Sequence, residues 1–117
     1  IEEAVAQAQT LAAEKYPAMK IDGEFQLDAA ISADVAAAKV KRASEVAGKA
    51  NILIFPDLNA GNIAYKAAQR FAGADAYGPF LQGFRASISD LSRGSSVEDV
   101  IGVSVMALAR AVGRAAQ

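Results

Sequence analysis

The stretch Asn51-Ile52-Leu53-Ile54-Phe55, stopped by Pro56, constrains the fold of this chain more than any other. A short apolar run without alternation predicts a strand buried on both faces, as in a parallel sheet covered by helices. Helical patterns surround it. Ile1, Val5, Ala8 and Ala12 share one stripe of a helix over residues 1–16 that Pro17 ends. Ile63, Ala64, Ala67, Ala68 and Phe71 make the apolar face of a helix that Gly73 stops. Val97, Val100, Ile101, Val105, Leu108 and Val112 hold a helical stripe from near Ser96 to the C-terminus. Helices alternating with a buried strand predict an α/β fold with a mostly parallel sheet covered by helices.

The remaining segments fill in that plan. Residues 19–27 alternate, with Met19, Ile21, Gly23, Phe25 and Leu27 against Lys20, Asp22, Glu24 and Gln26, which is the period of a half-buried strand. An alanine-rich helix over 28–38 follows, with Asp28 or Ser32 as its cap. Residues 39–50 have neither period and predict an exposed connection. Two short strands are expected within 76–84 and 86–89, interrupted by Gly78, Pro79 and Gly83.

Composition removes several kinds of chemistry. The chain has no cysteine and no histidine, so disulfides, thiolate metal sites, a Cys nucleophile and an imidazole base are all excluded. No metal or permanently bound cofactor is expected. A formal net charge of -1 supplies no basic field for nucleic acid and no polybasic face for a membrane. No apolar run reaches bilayer length, and residues 1–15 carry Glu2, Glu3 and Glu14 with no basic leader, so a cytoplasmic protein is expected. The chain opens on a helical pattern without Met, and a piece of something longer is expected.

Two segments have the character of a ligand site, since loops entering helix N-termini bind ligands in open α/β sheets. In 56–62, Asn59 and Asn62 flank Gly61, so amides and helix N–H groups could face an anion. Equally, Asn caps helices and Gly61 permits the turn. In Asp90-Leu91-Ser92-Arg93-Gly94-Ser95-Ser96-Val97-Glu98-Asp99, a cation stands just before a helix N-terminus, where the dipole favours anions. Arg93 suits phosphate through its planar donors, Gly94 permits close approach, and the serines add hydroxyls. The alternatives are a surface pair of Arg93 with Asp90 or Glu98, and a capping box joining Ser96 to Asp99. A third cluster, Asp22, Glu24 and Asp28, lacks a calcium-loop pattern and reads as a solvated acidic face.

From Lys20 to Gln117 the chain resembles the C-terminal part of phosphate acetyltransferases (phosphotransacetylases). The resemblance rests on Ile21-Asp22-Gly23-Glu24-Phe25-Gln26-Leu27-Asp28-Ala29-Ala30 and Val46-Ala47-Gly48-Lys49-Ala50-Asn51. It continues through Phe55-Pro56-Asp57-Leu58-Asn59-Ala60-Gly61-Asn62-Ile63-Ala64-Tyr65-Lys66, Gly78-Pro79-Phe80-Leu81-Gln82-Gly83 and Asp90-Leu91-Ser92-Arg93-Gly94. Phosphate butyryltransferases tend to vary the last motif, and related domains fused to malic enzymes often lose its Ser-Arg-Gly.

The resemblance implies two α/β domains with the active site in the cleft between them. Residues 1–89 would belong to the second domain, and 90–117 would be the active-site loop and a helix returning to the first. It implies interconversion of acetyl-CoA plus phosphate with acetyl phosphate plus CoA, with coenzyme A as substrate. It also implies a homo-oligomer, a dimer, in the full-length protein, and further arginines upstream, without which these 117 residues would be inactive. By match to the family, Asp99 is the general base, Arg93 binds phosphate, and Ser92 lies near the reacting thiol. An ordinary carboxylate and thiol differ in proton affinity by about 6 kcal/mol, so cleft closure must remove water from the acid or ease thiol ionisation. A second reading is a non-catalytic regulatory domain that binds acetyl-CoA within a larger enzyme such as a malic enzyme; retention of Ser92, Arg93 and Asp99 speaks against it. A third is a generic anion-binding α/β module.

Overall fold

A computed structural model describes residues 1–115. The chain divides into two compact units, Ile1–Gly61 and Asn62–Gln117, and each is described by itself.

The first unit begins with α1 (Glu2–Lys15), ended at Tyr16 just ahead of Pro17. Its charges complement the helix dipole, with Glu2 and Glu3 in the first turn and Lys15 in the last. Ala12 is buried, and Val5 and Ala8 are half-buried, along the expected stripe. The single helix expected over 28–38 is two, α2 (Leu27–Ile31) and α3 (Ala33–Lys39), broken where Ser32 takes an extended conformation. Ser32 sits at the N-cap position of α3 without a side-chain capping bond, and Asp28 lies inside the first turn of α2. Ala29, Ala30 and Ala36 are the buried centre of the pair. Alanine lets the two short helices and the following loop approach closely: Gly48 donates to the Ala29 carbonyl at 2.9 Å and Ala50 to that of Ala30 at 3.0 Å. Gly48 has φ +77, and an added Cβ would lie 2.7 Å from Ala33 Cα, so only glycine fits.

Two strand expectations fail in this unit. Residues 19–26 contain no strand. Their alternation is real, but a strand needs a ladder partner; here the Ile21 carbonyl accepts from the Gln9 side chain at 2.9 Å instead. Nor is Asp22 on a solvated face. Its side chain is 11% exposed, and Arg42 Nη1 and Nη2 each donate to it at 2.7 Å. Ser44 Oγ donates at 2.6 Å and Gly23 N–H at 2.8 Å. The guanidinium, which also covers the Phe25 ring, holds the Asp22 carboxyl down at about 2. Residues 51–55 are also not a strand; Ile52 and Ile54 are exposed, Ile54 by 90%. A strand buried on both faces needs neighbours and two covering layers, and no described strand lies in residues 1–61.

α4 (Leu58–Ala72) follows and ends at Gly73, φ +66, as expected. Its apolar face divides: Ala64 and Ala67 are half-buried, but Ile63 and Phe71 are exposed, Phe71 by 92%.

In the second unit the two short strands are β1 (Phe80–Leu81) and β2 (Ile88–Ser89), paired antiparallel with Phe80 opposite Ser89 and Leu81 opposite Ile88. This hairpin is the only sheet among the described residues, so the expected parallel sheet is not found there. α5 (Val97–Ala115) packs on β2. Residues 116 and 117, expected to extend it, lie outside the described residues. Val103 is its buried residue at 4% exposure. The expected stripe of Val97, Val100, Ile101, Val105, Leu108 and Val112 is exposed throughout, because the hairpin covers a different face of the helix.

Candidate functional site

The segment from Asp90 to Asp99 is built by local hydrogen bonds within the second unit. The hairpin fixes its start: Asp90 N–H donates to the Pro79 carbonyl at 3.2 Å. Asp90 Oδ1 accepts from the next N–H, that of Leu91, at 2.8 Å. Ser95 N–H donates to the Ser92 carbonyl at 3.0 Å, closing a turn with Arg93 and Gly94 at its corner. Ser92, Arg93 and Gly94 are all exposed. No ion pair joins Arg93 to Asp90, Glu98 or any other acid among the described residues.

The start of α5 is a reciprocal capping box. Ser96 Oγ accepts from Asp99 N–H at 3.1 Å, and Asp99 Oδ2 accepts from Ser96 N–H at 2.8 Å. The shorter Asp thus serves where Glu or Gln is usual. Val100 N–H donates to the Ser96 carbonyl at 3.2 Å, beginning the helical ladder. The N–H groups of Val97 and Glu98 have no acceptor among the described residues. Chemically, a guanidinium, two open helix amides, three serine hydroxyls and a half-buried carboxylate oriented by the cap stand within ten residues. The first three groups are donors suited to an anion; the last is a base or acceptor.

At the start of α4 the capping residue is Asp57 and not an asparagine. Asp57 Oδ1 accepts from Ala60 N–H at 2.9 Å, and its carbonyl accepts from Gly61 N–H at 3.1 Å. The signal was present, an Asp directly after Pro56 and three residues before the amide it caps. Asn59 and Asn62 therefore lie inside the helix, exposed and with no side-chain hydrogen bond among the described residues. Gly61 packs against Phe55, where an added Cβ would sit 3.6 Å from Phe55 Cβ.

The chain is similar to known proteins over most of its length. The family model described as phosphate acetyl/butaryl transferase matches residues 2–108. The chain is 57% identical over 109 residues to a phosphate acetyltransferase of Acetivibrio thermocellus, covering 93% of this chain and 32% of that one. It is 56% identical over 104 residues to a phosphate acetyltransferase of Borreliella burgdorferi, covering 89% and 29%. Among solved structures, it is similar to the EutD phosphotransacetylase from Staphylococcus aureus with a TM-score of 0.83 at 50% identity, covering 94% of this chain and 33% of that one. The chain spans about a third of the length of these relatives.

Proposed function

The chain belongs to the phosphate acetyl/butaryl transferase family, and from that membership we propose that it forms part of an enzyme interconverting acetyl-CoA plus phosphate with acetyl phosphate plus CoA. The observation that carries this reading is the Ser92–Asp99 segment, where an exposed arginine and helix amides, without partners among the described residues, stand in sequence beside a carboxylate fixed by its cap. Arg93 and the first-turn amides of α5 hold the phosphoryl oxygens, and Gly94 leaves room for them. Asn59, Gly61 and Asn62 bind substrate from the start of α4. Asp99 accepts the thiol proton of CoA through the carboxylate, with Ser92 beside the sulfur. The thiolate attacks the acetyl carbonyl carbon, and the carbon–oxygen bond to phosphate breaks. Phosphate leaves with the bonding pair. No enzyme nucleophile is needed, in keeping with a chain that has no Cys or His.

The rest of the reading concerns the longer protein. The exposed stripe of α5 supports residues 90–117 as a loop and helix that return to a first domain, with 1–89 in the second. The exposed residues 52–54 support the run 51–55 joining a parallel sheet there. The enzyme is cytoplasmic and dimeric, and no helix among the described residues is long and apolar enough to cross a membrane. The 117 residues alone are inactive, because the other wall of the site lies elsewhere. Replacing Arg93 by Gln tests the phosphate role in the longer enzyme. The KM for acetyl phosphate should rise about tenfold or more, the scale of one lost charge-assisted hydrogen bond. An unchanged KM would remove Arg93 from the site, and turnover by the 117 residues alone would refute the two-walled arrangement.

A further inference from the structure

Among the described residues the Asp99 carboxylate has one partner, the Ser96 N–H, which donates to Oδ2 at 2.8 Å. No cation pairs with it there, since the ion pairs of the described residues involve Glu45, Asp28 and Asp22. The cap, and not Arg93, therefore holds this carboxylate. Oδ1 accepts no hydrogen bond among the described residues.

The donor is fixed in turn. Ser96 Oγ accepts from the Asp99 N–H at 3.1 Å, so one residue grips Asp99 at both main chain and side chain. An aspartate has two rotatable side-chain bonds, and tying Oδ2 to an amide of the preceding turn sets both. Upstream, the Ser95 N–H donates to the Ser92 carbonyl at 3.0 Å. Two hydrogen-bonded closures thus adjoin, 92–95 and 96–99, with Ser96 at their joint. Ser92, Arg93 and Asp99 stand on that one frame.

The two carboxylate oxygens thereby differ in what they can do. Oδ2 is engaged by the cap, and Oδ1 is the oxygen left to accept a proton. When the thiol of CoA gives its proton to Oδ1, the S–H bond breaks, the electron pair stays on sulfur and an O–H bond forms. Oδ2 is then the carbonyl oxygen of the acid and still accepts from the Ser96 N–H, so the cap survives the transfer. The departing phosphate, which leaves with the bonding pair of the acetyl ester, takes the proton from Oδ1 and restores the carboxylate.

We infer that Ser96 is a positioning residue of the transferase, aiming Oδ1 of Asp99 at the thiol by holding Oδ2. This inference rests on the function proposed above, in which Asp99 is the base.

The test is steady-state kinetics in the longer enzyme of Ser96→Gly, Ser96→Thr, Asp99→Asn and the variant combining Ser96→Gly with Asp99→Asn, each with its Tm. Glycine serves a helix N-cap nearly as well as serine but has no hydroxyl, so Ser96→Gly should fold. Its kcat should nonetheless fall about tenfold, as for a reacting group displaced by under about 1 Å. The KM for acetyl phosphate should stay within about twofold, because Ser96 acts on the proton acceptor and not on the phosphoryl group. Ser96→Thr keeps the hydroxyl and should recover most of the lost kcat. In the Asp99→Asn background Ser96→Gly should remove nothing further, since no base remains to be aimed. Should the glycine variant not fold, Ser96→Ala, also without the hydroxyl, repeats the comparison with Ser96→Thr. A full kcat in Ser96→Gly beside an impaired Asp99→Asn would overturn the positioning role and leave the base standing. A loss repeated in the Asp99→Asn background, or shared by Ser96→Thr, would overturn it as well. An undiminished kcat in Asp99→Asn would remove the base itself, and this inference with it.

Discussion

Replacing Asp22 by Asn should reveal a pH-dependent clamp in the first unit. Asp22 takes hydrogen bonds from Arg42, Ser44 and Gly23, and its carboxyl is lowered from 3.8 to about 2, first through the Arg42 hydrogen bonds. A shift of that size corresponds to about 2.4 kcal/mol of preference for the ionised, folded form. Asp22 itself is well covered, but the Arg42 side chain is 50% exposed, and solvent screening trims the contribution to about 2 kcal/mol. The sign follows from linkage. A carboxyl depressed by folding contributes in full above its unfolded value, and the contribution fades as pH falls from about 4 through about 2. Urea unfolding followed by circular dichroism, with wild type and Asp22→Asn compared at pH 7 and stepwise down to pH 2, isolates this carboxyl from all others. The variant should be about 2 kcal/mol less stable at pH 7, and most of that difference should vanish by pH 2. A difference that stays constant over the whole range would refute the charge-based account and leave only packing.

Two further substitutions separate glycines by what surrounds them. Gly48→Ala should cost more than about 2 kcal/mol, because backbone at Ala33 blocks the Cβ and φ is positive. Gly102→Ala meets only the Tyr77 ring, which is 56% exposed and can swing away, so its midpoint of urea unfolding should move by less. Ser96→Ala should destabilise by about 1 kcal/mol and Ser96→Gly by only a few tenths, as measured by chemical denaturation. If Ser96→Ala left the stability of α5 unchanged, the reciprocal cap would not hold in solution.

What the sequence disclosed depended on how local the cause was. Helix ends were readable because Pro17, Gly73 and the Ser96–Asp99 pair act within a turn of themselves. Strands were not, because a strand is defined by its neighbour. Ile21 to Phe25 alternate as a strand does, yet their polar groups are taken by Gln9, Arg42 and Ser44, residues that no period reveals. Val97 to Val112 keep a perfect apolar stripe that nothing described covers, and the chain amounts to about a third of its relatives' length. The stripe was legible, but its burial was not. At the candidate site, Arg93 stood out as a cation against the helix dipole, and it is indeed exposed and unpaired among the described residues.

Asp99 carries two duties in this account, a cap that is formed and a base that is proposed. Steady-state kinetics of Asp99→Asn in the longer enzyme, with its Tm measured alongside, tests the claim most directly. If the carboxylate takes the thiol proton, kcat should fall by about 10²-fold or more. Asn keeps a side-chain oxygen that can accept from Ser96 N–H and loses only the first-turn charge, about 0.3–1 kcal/mol, so the Tm should move little. An undiminished kcat would contradict the account and leave Asp99 as a capping residue alone.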